Sequence, residues 1–241
     1  MFAIETVDLS KYYKNIAAAD AVNLKIKHGE LFALLGVNGA GKTTVIKMLS
    51  CLTHPSSGEG YIYGYNIKTQ IREVKKSIGV SPQETAIAPN LTVRENLQLI
   101  CGIYGFGKDK TNVKITELCQ QLGLNDILHR KAGKLSGGWQ RRLSIAMALI
   151  CDPKILFLDE PTLGLDVIAR QELWNVINAL KGNVTIILTT HYLKEAQALS
   201  DRIGIMKEGR VLATGTSDEL IRITDSKDLE TAFISIVREV E

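Results

Sequence analysis

A glycine-rich segment near the start of the chain contains the residue types that bind phosphate. It consists of Gly36, Val37, Asn38, Gly39, Ala40, Gly41, Lys42, Thr43 and Thr44. Its glycines let successive backbone N–H groups point inward as an anion nest, and a helix that follows adds its positive N-terminal end. Lys42 supplies a positive charge for the β- and γ-phosphates of a nucleotide, and the Thr43 hydroxyl is placed to bind Mg²⁺. We therefore expect a nucleotide site here, with a glycine-rich turn that matches by chance as the alternative.

Two adjacent acids follow an apolar run further along the chain. Residues 155–158 are apolar, Asp159 and Glu160 come next, and Pro161 stops the run. Because neighbouring side chains on a strand point to opposite faces, one acid can hold Mg²⁺ while the other reaches an attacking water. We assign the metal to Asp159 and the general base to Glu160. A surface acid pair that caps a strand is the alternative, and the apolar run before it argues against that.

A second segment of serine and glycine opens an apolar helical stretch. It consists of Leu135, Ser136, Gly137 and Gly138. These residues predict a second anion nest at the N-terminus of a helix. One nucleotide hardly needs two such nests in one subunit. The segment therefore distinguishes this chain from nucleotide hydrolases that contain only the glycine loop and the acids.

The elements around these residues predict an α/β fold. Residues 31–35 are apolar on both faces, as in a central parallel strand, and lead straight into the glycine loop. Alternating residues at 21–27 predict a half-buried strand, and apolar residues at helical spacing after Thr43 predict a helix. Further strands are predicted at 155–159, 184–189, 203–206 and 211–213, and a further helix over 171–180. Alternating strands and helices indicate a mainly parallel sheet.

The middle of the chain has a different character. From about residue 91 to 151 the apolar positions recur at helical spacing, and a glycine-rich break at 102–107 separates helical segments. We predict one domain over residues 1–241, in which 1–88 and 152–241 form the core and a β subdomain and about 89–151 form a helical insert. A packing helix is predicted from Asp228, with one face made of Leu229, Phe233, Ile236, Val237 and Val240.

The composition is that of a globular protein. The 241 residues are 45% hydrophobic and 23% charged, with a formal net charge of +3. The scattered basic residues imply no nucleic-acid partner. Cys51, Cys101, Cys119 and Cys151 have no metal-site spacing, which predicts reduced structural thiols.

The chain also lacks the patterns of secretion and membrane insertion. Its first residues include Glu5 and no long apolar segment, so we expect no signal peptide. The longest apolar stretches have the length of strands, far below the roughly 20 residues that a spanning helix needs. If a membrane is involved, a partner must supply it.

The motifs together resemble the ATP-binding cassette (ABC) family. Seven features stand in that family's order: Tyr13, residues 36–44, Gln83, residues 135–138, residues 156–160, residues 163–166 and His191. The resemblance covers almost the whole chain. It implies an α/β fold with a P-loop NTPase core, a mainly parallel sheet, an antiparallel β subdomain at the N-terminal side and an inserted helical subdomain.

The resemblance also implies roles for single residues. Tyr13 would stack on adenine, and Gln83 would contact the metal and attacking water and couple them to the helical subdomain. His191 would contact the γ-phosphate and act in hydrolysis with Glu160, Lys42 and Gln83, while Thr43, Gln83 and Asp159 would hold Mg²⁺. Nucleotide contacts would come from Tyr13, Gly36, Asn38, Gly39, Ala40, Gly41, Lys42, Thr43, Thr44, Ser136, Gly137, Gly138 and Asp166. For Tyr13 the alternative is a packed aromatic, with Tyr12 beside it competing for the same role.

In this family two head-to-tail subunits enclose two ATP molecules. Ser136 and Gly138 of one subunit would clasp the γ-phosphate bound to the other, and Asp166 would lie in the loop that crosses the interface. Trp139 stands where the family most often has glutamine, and we expect it to pack near the interface without abolishing hydrolysis. The signature and the 161–166 run are similar to those of separate ATPase subunits of drug- and antibiotic-type exporters.

We therefore predict an ATPase subunit of an ABC transporter. ATP binding would close a homodimer. The resulting movement would be transmitted to a separate membrane permease through the helical subdomain near Gln83. The subunit would lie on the cytoplasmic side of the membrane. The alternatives are a soluble ABC protein without a transport role and a non-catalytic nucleotide-binding regulator, although a regulator would usually lack Glu160.

Overall fold

Within residues 2–238, the part of the chain that the computed structural model describes, ten strands form two sheets. The larger sheet has six strands in the order β10-β9-β3-β8-β7-β6. Its strands are β3 (Leu31–Leu35), β6 (Ile78–Ser81), β7 (Ile155–Asp159), β8 (Thr185–Thr190), β9 (Arg202–Lys207) and β10 (Arg210–Gly215). All pair in parallel except β10, which is antiparallel to β9. The predicted mainly parallel sheet is confirmed.

The smaller sheet is antiparallel and has the order β2-β1-β4-β5. Its strands are β1 (Ile4–Tyr13), β2 (Ile16–Ile26), β4 (Ser57–Ile62) and β5 (Tyr65–Asn66). The alternation predicted at 21–27 is present, because Val22, Leu24 and Ile26 are buried and the residues between them are exposed. The strand begins earlier than predicted because β2 pairs with β1 from Ile16 onward through several register shifts.

Nine α-helices cover the sheets in the described part of the chain. They are α1 (Lys42–Leu49), α2 (Ile71–Ser77), α3 (Val93–Ile103), α4 (Lys108–Leu122), α5 (Gly137–Leu149), α6 (Val167–Leu180), α7 (Leu193–Leu199), α8 (Ser217–Ile223) and α9 (Leu229–Arg238). None of these helices, over residues 2–238, combines the length and hydrophobicity that a bilayer crossing needs.

The predicted helical insert lies between β6 and β7. Helices α3, α4 and α5 occupy it, and α3 extends to Ile103, two residues into the predicted glycine-rich break. Helix α3 begins with a capping box in which Thr92 and Glu95 bond to each other's backbone. The structure thus confirms an α/β fold with an antiparallel sheet and inserted helices.

The C-terminal helix packs on the larger sheet as predicted. Leu229 and Ile236 of α9 are buried in a cluster with residues of β3 and β9. Val240, which was predicted on the same face, lies outside the described residues. Residues 1, 239 and 241 also lie outside them, so the two ends of the predicted 1–241 domain are not described.

The four cysteines are free thiols, as predicted. Cys101 and Cys119 are buried between α3, α4 and their neighbours, whereas Cys51 and Cys151 are half-buried. Burial raises the pKa of the Cys51, Cys101 and Cys119 thiols above its ordinary value. Protonated thiols of this kind behave as small apolar side chains.

Candidate active site

The glycine loop lies between β3 and α1, at the carboxyl edge of the parallel sheet. Gly39 and Gly41 adopt left-handed φ angles of 83° and 100°, which glycine tolerates and other residues rarely adopt. The Lys42 Nζ donates to the carbonyl oxygens of Gly36 at 2.7 Å and Val37 at 3.2 Å. The lysine is 6% exposed, so the loop encloses its charge.

The first acid at the end of β7 is surrounded by hydroxyl groups. Asp159 Oδ1 accepts hydrogen bonds from Thr43 Oγ1 at 3.0 Å and from Thr189 Oγ1 at 2.5 Å. Thr43 belongs to α1 and Thr189 to β8, so three elements meet at one carboxylate oxygen. Hydroxyl and carboxylate oxygens are hard ligands that suit Mg²⁺.

The second acid does not lie on the strand, and the strand-alternation argument for it was wrong. Strand β7 ends at Asp159, and Glu160 has a left-handed φ of 47°. Its backbone N–H donates to Thr189 Oγ1 at 3.0 Å, which holds this turned conformation. The pleated strand has ended before Glu160. The two carboxylates therefore point in different directions because the chain turns between them.

The turn places Glu160 between two cationic or polar side chains. Its Oε1 lies 3.2 Å from Lys42 Nζ, and its Oε2 lies 2.9 Å from His191 Nδ1. Glu160 is 5% exposed. His191 directly follows β8, as the sequence predicts, and its ring centroid is 4.0 Å from that of Tyr192. A buried carboxylate that faces an amine and an imidazole can accept a proton from a nearby water.

A pocket of about 410 Å³ unites most of these residues, although Gly36 and Asp159 do not line it. It is lined by Ile16, Ala17, Ala18, Asn38, Gly39, Ala40, Gly41, Lys42, Thr43, Thr44, Gln83, Glu160, Leu163 and His191. Most of the sequence-predicted site residues therefore meet here, including Gln83, which lies two residues after β6, the last strand of the larger sheet.

The pocket also contains residues that the sequence did not single out as site residues. Residues 16–18 begin β2, and Ile16 pairs directly with Tyr13 across the turn that joins β1 and β2. Tyr13 itself does not line the pocket and is 45% exposed, with Lys11 Nζ 5.2 Å from its ring centroid. Ala18 lies against Gly41 of the loop, and the residue types at 16–18 give no sign of this in the sequence.

The signature residues lie outside this pocket. Ser136 caps the N-terminus of α5 without a side-chain capping bond, and Ser136 and Gly137 are exposed. Gly138 is buried against Ala169 of α6, where an added Cβ would lie 3.2 Å from the Ala169 Cβ. Asp166 caps α6 by accepting from the Ala169 N–H at 2.9 Å. In the part of the chain that the structure describes, the second predicted anion nest therefore does not share the pocket of the first.

Trp139, the unusual residue of the signature, packs within its own chain. The guanidinium of Arg142 lies 4.5 Å from the Trp139 ring centroid, and Arg142 also pairs with Glu172 of α6 at 2.7 Å. The indole is half-buried against the apolar cluster of the helical insert. This packing leaves the exposed backbone of Ser136 and Gly137 unobstructed by the Arg142 pair.

Comparison with known proteins places these motifs in one family. The family model described as ABC transporter matches residues 19–163. The daunorubicin resistance ATP-binding protein of Streptomyces coeruleorubidus is 38% identical over 230 residues, which cover 95% of this chain and 71% of that protein. The Nod factor export ATP-binding protein I of Rhizobium etli is 40% identical over 223 residues, 92% of this chain and 70% of that protein.

These two relatives are longer than this chain, and a third is longer still. The probable multidrug ABC transporter ATP-binding protein YbhF of Escherichia coli is 37% identical over 242 residues, and the match spans 98% of this chain and 42% of that protein. The chain thus covers less than half the length of that relative.

Solved structures give the same result. The structure of an ATP-binding subunit of an ABC transporter has a TM-score of 0.85 and 29% identity, covering 98% of this chain and 99% of that one. The dimeric post-hydrolysis state of the ATP-binding cassette MJ0796 bound to ADP and Pi has a TM-score of 0.78 and 28% identity, covering 88% and 98%. The fold, the order of the motifs and these likenesses agree, and the chain belongs to the ABC transporter family.

Proposed function

We propose that this chain binds ATP with Mg²⁺ and hydrolyses it to power transport, in the export direction, through a separate membrane permease. The observation that carries the proposal is the placement of Glu160 between Lys42 and His191 in the glycine-loop pocket. A non-catalytic regulator does not need a buried carboxylate at this position.

The residues of the pocket divide the work. Lys42 and the loop N–H groups bind the phosphates, with Gly36, Asn38, Ala40 and Thr44 forming the rest of the cradle. Thr43 and Asp159 would hold Mg²⁺ together with Gln83, and the ion would supply positive charge against the phosphates. Tyr13 would contact adenine at the mouth, beside Ile16. His191 orients the Glu160 carboxylate, which takes the proton of the attacking water.

The second half of the site comes from another copy of the chain. Ser136 and Gly137 are exposed at the N-terminus of α5 and do not line the glycine-loop pocket of the described chain. Helix N-termini bind phosphate oxygens, so a head-to-tail homodimer would place Ser136, Gly137 and Gly138 on the partner's γ-phosphate with Asp166 at the crossing. The dimeric state of MJ0796 supports the formation of a dimer.

A groove beside Gln83 suits the permease. It has a volume of about 390 Å³, and Pro82 and Ala86 line it next to the Gln83 loop. Leu52, Ile103 and Tyr104 also line it and are 66%, 71% and 47% exposed. An exposed apolar groove of this kind marks an interaction site, and a permease loop seated there would hold the subunit at the cytoplasmic side of the membrane.

The relatives favour export over a role outside transport. The proteins named for daunorubicin resistance and Nod factor export resemble this chain over more than nine-tenths of its length. The soluble ABC ATPase without a transport role is the second candidate, but no feature of the site favours it.

We propose that residues 89–151 form the helical subdomain. This subdomain would transmit the movement of the ATPase subunits to the permease.

Substitution of the base tests hydrolysis. Glu160→Gln should retain ATP binding and lower steady-state ATPase turnover by a factor on the order of 10² to 10⁴, as expected for loss of a general base. Glu117→Gln is the matched control, because Glu117 lies on α4 with a side chain that is 60% exposed. Unchanged turnover in Glu160→Gln would contradict the proposed function.

Substitution of the signature serine tests the dimer. Ser136→Arg places a bulky cation at the exposed N-terminus of α5, and it should abolish ATP-dependent dimerisation in size-exclusion chromatography while ATP binding to the monomer persists. Ser57→Arg on β4 is the control, because Ser57 is exposed and far along the chain from the signature. A dimer that survives Ser136→Arg would count against the two-site arrangement.

A further inference from the structure

A buried arginine joins the signature helix to the Gln83 loop. Arg141 lies on α5, one turn beyond Gly137, and is 5% exposed. Its two terminal nitrogens donate to the carbonyl oxygens of Pro82 at 2.5 Å and Gln83 at 2.7 Å. The planar guanidinium holds two consecutive peptide units at once, which a single ammonium group does not do with the same geometry.

The same face of α5 is attached to β6 at two further places. Ser144 Oγ and Ser81 Oγ share a hydrogen bond of 2.8 Å in a buried position. Gly79 lies so close to α5 that an added Cβ would be 2.2 Å from the Ala148 carbonyl oxygen. Three successive turns of α5 therefore follow residues 79–83, and the helix and this segment must move together.

The charge of Arg141 is poorly solvated, so its contacts matter. Burial lowers the pKa of the guanidinium, and attraction by Asp159 and Glu195 acts in the opposite direction. A buried arginine that keeps its charge requires its acceptors to stay in place. Those acceptors are the carbonyl groups of Pro82 and Gln83. Gln83 also lines the glycine-loop pocket.

We propose that Arg141 is a positioning residue that couples the two ATP sites of the dimer. It fixes Gln83, which faces its own subunit's phosphates, to the helix whose N-terminal Ser136 faces the partner's phosphates. A shift of Gln83 at one site then moves Ser136 at the other. This inference rests on the proposed function, because the second site exists only in the dimer.

Two double-mutant cycles on the purified chain of residues 1–241 test the coupling. Arg141→Gln is combined with Gln83→Ala in one cycle and with Ser136→Ala in the other, and kcat is measured for each protein. In the parent, Arg141→Gln should lower kcat by a factor between about 2 and 150, the range for residues that interact directly. In the Gln83→Ala protein and in the Ser136→Ala protein, Arg141→Gln should lower kcat by less than about twofold.

A neighbouring arginine provides the matched control. Arg142 carries the same charge on α5 but pairs with Glu172 instead of the Gln83 loop. Arg142→Gln should have the same small effect on kcat in all three backgrounds. Binding of a fluorescent ATP analogue to the glycine loop and thermal melting show that each variant is folded. Where Arg141→Gln does not fold, Arg141→Lys takes its place in both cycles.

The outcomes separate this inference from the proposed function. Equal losses of kcat from the Arg141 variant in the parent and in either second background would overturn the coupling, as would an unchanged kcat in the parent. If the parent chain has no ATPase activity sensitive to Glu160→Gln, the proposed function fails first. Non-additive losses in both cycles, with additive losses for Arg142→Gln, support Arg141 as the link.

Discussion

Two glycines of the phosphate loop should respond differently to the same substitution. Gly39 and Gly41 both have left-handed φ angles, 83° and 100°. Alanine at either position therefore costs about 1 to 2 kcal/mol of backbone strain, partly offset by about 0.4 to 1 kcal/mol because the unfolded chain loses freedom. These two contributions nearly cancel when the variants are compared with each other.

The surroundings of the two positions differ. No heavy atom of the described chain, apart from the glycine and its immediate neighbours, lies within 4 Å of a Cβ added at Gly39. At Gly41 the added atom would lie 2.1 Å from the carbonyl oxygen of Ala18 on β2. Overpacking of this kind costs about 1 to 3 kcal/mol, so Gly41→Ala should be the less stable variant by that amount.

Thermal unfolding of the nucleotide-free protein measures the difference. For a chain of this size about 1 kcal/mol corresponds to roughly 2 to 4 °C, so the Tm of Gly41→Ala should lie roughly 2 to 12 °C below that of Gly39→Ala. The absence of nucleotide removes any effect of the added methyl group on phosphate binding. Equal melting temperatures, or a lower one for Gly39→Ala, would refute the reasoning from the Ala18 contact.

Three further predictions concern other buried or capping groups. Lys42→Ala leaves Glu160 without its cation at 3.2 Å and should lower the free energy of unfolding by about 3 to 5 kcal/mol in urea denaturation, and an unchanged free energy would contradict the buried pair. Burial raises the pKa of Glu195 above its ordinary 4.5. The protonated carboxyl therefore contributes to stability below that pH, and this contribution to the free energy of unfolding is lost as the pH rises through the pKa of the folded state. Glu195→Gln stays neutral, and its Tm relative to the parent should therefore rise as the pH is raised above the ordinary pKa of the carboxyl; a constant difference would contradict the shift. Thr92→Ala removes the capping box of α3 and should cost about 1 kcal/mol of stability with kcat unchanged, whereas a loss of kcat would assign Thr92 more than a cap.

Local patterns predicted most of the architecture. Strand β3 was predictable because five consecutive apolar residues fit only a strand buried on both faces. The helical insert was predictable from apolar spacing, although α3 and the later strands extend a residue or more beyond the predicted limits. Such ends depend on capping and pairing partners, and the pairing of β1 with β2 lengthened the predicted strand at 21–27.

The candidate site was predictable in its chemistry but not in its contacts. The glycine loop, Gln83, Glu160 and His191 meet in one pocket, as the order of the motifs indicates. Residues 16–18 line the same pocket without any chemical signature, because alanine and isoleucine have no distinctive role in a sequence pattern. Their presence follows from the β1–β2 pairing, which also leaves Tyr13 outside the lining.

The sequence by itself determined which groups could bind phosphate and accept a proton, because residue type and short spacing specify local chemistry. Only the tertiary structure decided how those groups approach one another. The turn at Glu160 brings it to Lys42, 118 positions away, Arg141 reaches across 58 positions to Gln83, and Gly41 but not Gly39 lies against Ala18. These distances depend on how β2, β6 and β7 pack, and no short pattern of residues encodes that packing.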